Sequence, residues 1–202
     1  MKGSCNTARQ CGCSDATKCD IDGQTGKATC QKVGSVQPGG SCAMPEDCPK
    51  GYGCMGAVCK QYCEGPKDTS CPGGGACNPV LFMTGPTGAY YCTRTCDPFS
   101  PTSTERPFLG CAQGQRCNPA PDGHTDCSQS GTIPAGNSCN DGTGKAIFNG
   151  CAPSSICLDP PQLVCAAFCR TGADDCKSGT CRSFGATHYY VLQTEVGSCN
   201  PP

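Results

Sequence analysis

Apolar residues along this chain seldom fall in helical order, because Gly, Pro and Cys interrupt every stretch long enough to display a 3.6-residue period. Little helix is predicted. Two segments stand out. Val80-Leu-Phe-Met-Thr-Gly-Pro-Thr-Gly-Ala-Tyr-Tyr91 has apolar arms around a Gly/Pro turn, and late in the chain lies His188-Tyr-Tyr-Val-Leu192. Both read as β-hairpins or short strands. They are the most apolar surfaces on a chain with little core to hide them. Leu81, Phe82, Met83, Tyr90, Tyr91, Tyr189 and Tyr190 are therefore the candidate binding-loop residues, the alternative being that they pack onto disulfides. The predicted fold is small and disulfide-rich, mostly loops and short β-hairpins.

Cysteine spacing shows a repeat. One series runs Cys13, Cys19, Cys30, Cys42, Cys48, Cys54, Cys59, Cys63, Cys71, Cys77, Cys92, and a second runs Cys111, Cys117, Cys127, Cys139, Cys151, Cys157, Cys165, Cys169, Cys176, Cys181, Cys199. Five, ten and eleven residues separate the first four cysteines of one series, against five, nine and eleven in the other. Flanking residues keep the register: Gln37-Pro-Gly-Gly-Ser-Cys42 matches Ile133-Pro-Ala-Gly-Asn-Ser-Cys139, and Val58-Cys59 matches Val164-Cys165. The chain reads as a tandem duplication, each half made of three small loops. Residues 1–96 form the first predicted domain and 111–202 the second. Between them, 97–110 is rich in Pro, Ser and Thr and reads as a linker.

Twenty-five cysteines in 202 residues is about 12%, above the roughly 8–10% that marks a disulfide scaffold. The rest of the composition agrees. There is no Trp, only six Phe and six Tyr, and the 36% counted as hydrophobic includes every cysteine. So little apolar surface cannot offset chain entropy, and covalent staples must do so. Disulfides persist in oxidising compartments, which predicts an extracellular or outer-surface location. Met1-Lys2-Gly3-Ser4-Cys5 has no apolar run and reads as the start of a mature form. No apolar window approaches a membrane span. A formal net charge of −1 with scattered Lys and Arg makes nucleic acid an unexpected partner. The chain has no Asn-x-Ser/Thr sequon, in keeping with a bacterial source.

An odd cysteine count leaves one thiol outside intrachain pairing. Cys5, Cys11 and Cys96 fall outside the matched series. If Cys11 completes the first half and Cys96 the second, each half holds six disulfides and Cys5 is the odd cysteine, free or intermolecular.

Candidate chemistry is thin. Of two histidines, His124 lies in an Asp-Gly turn and His188 precedes two tyrosines; neither sits in a nucleophile motif. Gly73-Gly-Gly75 is turn material without the Lys-Ser/Thr of a phosphate loop. Cys59/Cys63, Cys92/Cys96 and Cys165/Cys169 have zinc-like spacing but alternate with longer gaps. Asp20-Ile-Asp-Gly23 lacks the later ligands of a calcium loop. No catalytic residue, metal site or cofactor is expected, and an enzyme is not expected.

Gly40-Ser-Cys42, Glu46-Asp-Cys48-Pro-Lys-Gly-Tyr-Gly-Cys54, Val58-Cys59 and Cys63 together resemble the cysteine-rich repeats of secreted and outer-surface proteins of myxobacteria and related predatory bacteria. More loosely, they resemble Dickkopf-like cysteine-rich modules. The resemblance implies surface location and binding or structural roles, and brings no active-site residues with it. The expected function is a secreted or cell-surface binding or structural protein presenting rigid loops to a protein or glycan partner. A secreted inhibitor or toxin acting through the loop from Asn78 to Tyr91 is one alternative. A self-associating fibre or coat subunit is the other.

Overall fold

A computed structural model describes residues 5–82, 85–147, 149–185 and 187–200. Twenty-four cysteines form twelve disulfides and they repeat one motif six times. In every group of four, the first cysteine bonds the third and the second bonds the fourth. Cys42–Cys54 and Cys48–Cys59 are one such crossed pair. The third and fourth cysteines always face each other across an antiparallel hairpin: Cys19/Cys30, Cys54/Cys59, Cys77/Cys92, Cys117/Cys127, Cys157/Cys165 and Cys181/Cys199. Directly opposed residues share a face of the sheet, so the two upstream cysteines land side by side on it. The centre of a module is therefore a packed pair of disulfides, as in the buried clusters of Cys63, Cys71, Cys77, Cys92 and of Cys139, Cys151, Cys165.

Local chemistry explains why this motif forms. Five residues separate the second cysteine from the third in five modules and four in the last. The chain must turn there and enter a strand. Pro49 accepts from Tyr52 N–H at 3.1 Å and Ala112 from Gln115 N–H at 3.0 Å. The third residue after the second cysteine takes a positive φ in five modules: Gly51, Gly74, Gly114, Ser154 and Gly179. Glycine occupies four of those five positions because it reaches that region without a Cβ penalty.

The chain divides at Arg94/Thr95 into two compact units. In the first, β1 (Thr17–Ile21) and β2 (Ala28–Lys32) form a two-stranded sheet. β3 (Tyr52–Met55), β4 (Val58–Cys63), β5 (Cys77–Phe82) and β6 (Gly85–Cys92) form a four-stranded sheet in the order β3-β4-β6-β5. The second unit repeats this plan. β7 (Gln115–Pro119) pairs with β8 (Thr125–Gln129). β9 (Ser155–Cys157), β10 (Cys165–Arg170), β11 (Thr180–Ser183) and β13 (Thr194–Asn200) order as β11-β13-β10-β9, with β12 (Tyr189–Val191) also on β13. Only three residues part Cys59 from Cys63 and Cys165 from Cys169, too few for a loop. Each pair therefore sits on one strand, β4 or β10, which fuses two modules into one sheet. Among the described residues the helical content is two 3₁₀ turns, Pro45–Asp47 and Pro72–Gly74.

The duplication extends to backbone hydrogen bonds. Gly34 N–H donates to Cys48 O at 2.9 Å and Gly131 N–H to Cys151 O at 2.9 Å; Gly39 and Gly136 donate to Cys59 and Cys165 at 2.8 and 2.7 Å. A Cβ on Gly34 or Gly131 would lie 2.0 Å from the carbonyl oxygen of Asp47 or Gly150, so only glycine permits the approach.

Two expectations are corrected. Cys5 is not the odd cysteine: it bonds Cys19, and the free, exposed thiol is Cys11. Nor do residues 97–110 part the two units. Cys96 bonds Cys117, Cys111 N–H donates to Pro101 O at 2.6 Å, and Leu109 N–H donates to Thr95 O at 2.9 Å. Phe99 and Phe108 pack on the second unit's buried Phe168, Val191 and Val196. Pro, Ser and Thr give the segment a linker's composition, but two aromatics and a closing disulfide fold it into the first loop of the fourth module.

Candidate functional site

In each unit the last module has the longest hairpin, and there the candidate residues lie. On β5, Val80 is buried while Leu81 is 70% exposed, and the pairing with β6 shifts register between Pro79 and Leu81. Phe82 closes β5, and its side chain, like all of Met83, lies outside the described residues. On β6, Tyr90 packs on the disulfides of Cys63, Cys71, Cys77 and Cys92. Tyr91 turns to the other face, against the cluster of Ile21, Tyr62, Val80 and Ala89, with Lys60 Nζ 5.0 Å from its ring centroid. Adjacent strand residues point to opposite faces, so Tyr90 and Tyr91 do not form one continuous aromatic face.

In the second unit, Tyr189 lies edge-on to Phe184 with centroids 5.2 Å apart, whereas Tyr190 is 45% exposed and stacks on His188 at 6.3 Å. Leu192, 62% exposed, forms the tip. Leu192 and Gln193 hold φ of 47° and 69°, the two left-handed positions of a tight hairpin turn that Asn and Gly fill with least strain. An exposed leucine in that conformation projects apolar surface at a local cost. Sequence reasoning marked the segment but not this tip; two non-glycine residues at a two-residue turn between strands was the readable signal.

Several of the polar side chains singled out in the sequence are engaged in local hydrogen bonds. Glu195 Oε1 accepts from Ser183 Oγ and contacts His188 Nδ1, each at 2.6 Å, and these bonds hold its carboxyl below the usual range. The carboxylate stands between hydroxyl and imidazole, so this histidine is not placed to take the serine proton. His124 lies in the β7–β8 turn, where its N–H donates to Asp122 Oδ1 at 3.1 Å. Asp22 accepts from Gln24 N–H, Thr25 N–H and Thr25 Oγ1, which hold its carboxyl low and occupy it as a turn. Cys59, Cys63, Cys92, Cys96, Cys165 and Cys169 all bond partners outside their zinc-spaced pairs.

Lys18 and Asp20 make a buried polar site in the first unit. Lys18 is 0% exposed, and its Nζ reaches Asp20 Oδ2 at 2.6 Å, Pro45 O at 2.6 Å and Tyr52 O at 2.8 Å. Two of the ammonium donors go to carbonyl oxygens, and the third contact is an ion pair with the Asp20 carboxylate. Asp20 Oδ1 accepts from the Tyr62 hydroxyl at 2.5 Å and from Ile21 N–H at 2.8 Å. Burial pushes the Asp20 carboxyl up, opposed by Lys18 and Tyr62, and burial with the adjacent carboxylate pushes the Tyr62 phenol up. The cluster clamps the first module to the next two.

Among the described residues no helix is long and apolar enough to cross a membrane. No family model, curated protein or solved structure matches the chain.

Proposed function

We propose that this is a secreted or cell-surface binding and structural protein, without catalytic activity, whose disulfide modules hold two apolar hairpins rigidly toward a surface partner. The observation that carries this reading is the placement of Leu81 in one unit, and of Tyr190 and Leu192 in the other, on the outer face of equivalent hairpins whose bases are crossed disulfides. Large apolar side chains held out on a crosslinked base lose little conformational freedom when a partner covers them. Two sites on one chain favour a repetitive partner through effective concentration. Surface location is supported by the twelve disulfides, and it accords with the resemblance to bacterial surface repeats. The test is retention on cell-surface fractions by the wild type and by a Leu81→Ser, Tyr190→Ser, Leu192→Ser variant. Retention lost with an unchanged melting temperature supports the reading, and equal retention overturns it.

A second reading, self-association, is favoured by the exposed thiol of Cys11. It predicts a reducible dimer on non-reducing gels that Cys11→Ser abolishes.

A further inference from the structure

The geometry points to a binding site for a neutral saccharide in the second unit, a groove of about 450 Å³ whose lining includes the aromatic Phe184 and Tyr189 and a polar rim of Asp159, Gln162, Thr187 and Asn200. This inference rests on the binding reading above but on different residues from the hairpin tips. Its volume lies in the roughly 300–1,000 Å³ range of small-ligand sites.

Three features select the ligand. First, the aromatic lining is fixed: Phe184 is held edge-on between Phe168, at 6.2 Å, and Tyr189, at 5.2 Å, and both Phe184 and Tyr189 remain partly exposed. Partly exposed aromatic carbon beside polar side chains suits a pyranose, whose C–H face is apolar and whose edge carries hydroxyls. Second, the rim is uncommitted. No side chain of Asp159, Gln162, Thr187 or Asn200 hydrogen-bonds another described residue, so a carboxylate, two amides and a hydroxyl stand ready to exchange bonds with a polyol. Third, among the described residues no Lys, Arg or His lines the groove and one carboxylate does, which disfavours phosphate, sulfate and uronate ligands.

The rim is also preorganised. Asp159 and Gln162 are the ends of one turn, with Gln162 N–H donating to Asp159 O at 3.2 Å and Pro160 and Pro161 locking φ between them. Leu158 N–H closes the loop onto Val164 O at 3.0 Å. In the first unit, the wider groove over Gln61 to Ser70 lacks these features: Glu64 is paired with Arg9 at 3.0 Å, and Asp68 accepts from Glu64 and Ser70 N–H.

The test is nuclear magnetic resonance titration of the full chain with neutral trisaccharides of glucose, mannose, galactose and N-acetylglucosamine, beside a trigalacturonate and an aromatic tripeptide. The expected result is that at least one neutral trisaccharide shifts the side-chain amides of Gln162 and Asn200. Gln162→Ala with Asn200→Ala weakens that binding tenfold or more, without moving the melting temperature, and Leu192→Ser leaves it intact. No shift with any neutral sugar, tighter binding of the acidic sugar or the peptide, or binding untouched by the double variant each overturns the site. Loss of surface retention in the hairpin variant with sugar binding intact, or the reverse, separates this inference from the hairpin reading.

Discussion

The two units carry the same disulfide frame yet fill the space between modules differently. In the first, β1 brings Lys18 and Asp20 against Tyr62 of β4, making a buried ion pair and hydroxyl that tie three modules together. In the second, the same register places Arg116, Asn118 and Phe168 at those positions. Arg116 Nη2 donates to Asn149 Oδ1 at 2.7 Å, Asn118 bonds Asp126 O and Ser128 Oγ on its own hairpin, and Phe168 joins Val191 and Val196 in an aromatic-rich cluster. One frame thus accepts an ionic or an apolar filling. Disulfides set the module, and the filling only has to satisfy or avoid buried charge.

Removing the frame should erase the comparison altogether. Full reduction is expected to abolish cooperative melting of both units by calorimetry. Loss of a single staple, as in Cys48→Ala with Cys59→Ala, should cost about 2–5 kcal/mol. An unchanged melting curve after complete reduction would contradict a disulfide scaffold.

The next effects should separate the units. Lys18→Met strands a buried carboxylate and should cost about 3–5 kcal/mol, with hydrogen-exchange protection lost in the first unit. Adding Asp20→Leu should restore most of it, since no charge is left unpaired. Arg116→Met strands no charge and should cost about 1 kcal/mol. The second unit's weak point is the aromatic cluster, where Phe168→Ala should cost about 3–5 kcal/mol. Equal responses to Lys18→Met and Arg116→Met would remove the distinction.

Tyr62→Phe, which gives the first unit the second unit's side chain, should cost about 1–2 kcal/mol by denaturant titration, because Asp20 loses a buried donor. A neutral result would mean that Ile21 N–H and Lys18 suffice.

The smallest effect is in pH. Asp22, Asp47 and Asp68 in the first unit, and Asp141 and Glu195 in the second, have carboxyls held low by hydrogen bonds, so their stabilisation is present above the ordinary carboxylate range and fades on acidification. Asp20 acts in the opposite sense. Its carboxyl is raised above 3.8 by burial, so its contribution is full below that value and is lost as pH climbs through the raised one. Asp20→Asn should therefore steepen the acid loss in the first unit alone, as read from melting temperatures and hydrogen exchange between pH 6 and 3. A shallower profile would reverse the assigned direction.

The sequence by itself determined the disulfide class, the scarcity of helix, the duplicated register and the two apolar hairpins, because spacing and composition constrain loops, turns and strand alternation locally. The odd cysteine was also within its reach. First-to-second gaps run from five to fourteen residues in the six modules, and Cys11, one residue before Cys13, fits none of them, while Cys5 does. Tertiary structure alone decided the rest. A disulfide needs Cα atoms about 4.4–6.8 Å apart with converging Cβ vectors, a property of the folded hairpin and not of the interval along the chain. The same holds for residues 97–110, whose linker-like composition is overruled by Phe99, Phe108 and the Cys96–Cys117 bond. That Tyr190 and not Tyr189 is the exposed one, that Tyr90 and Tyr91 pack on opposite faces, and that Lys18 lies buried beside Asp20, depended on what each strand packs against, and a strand's neighbours are chosen by the whole fold.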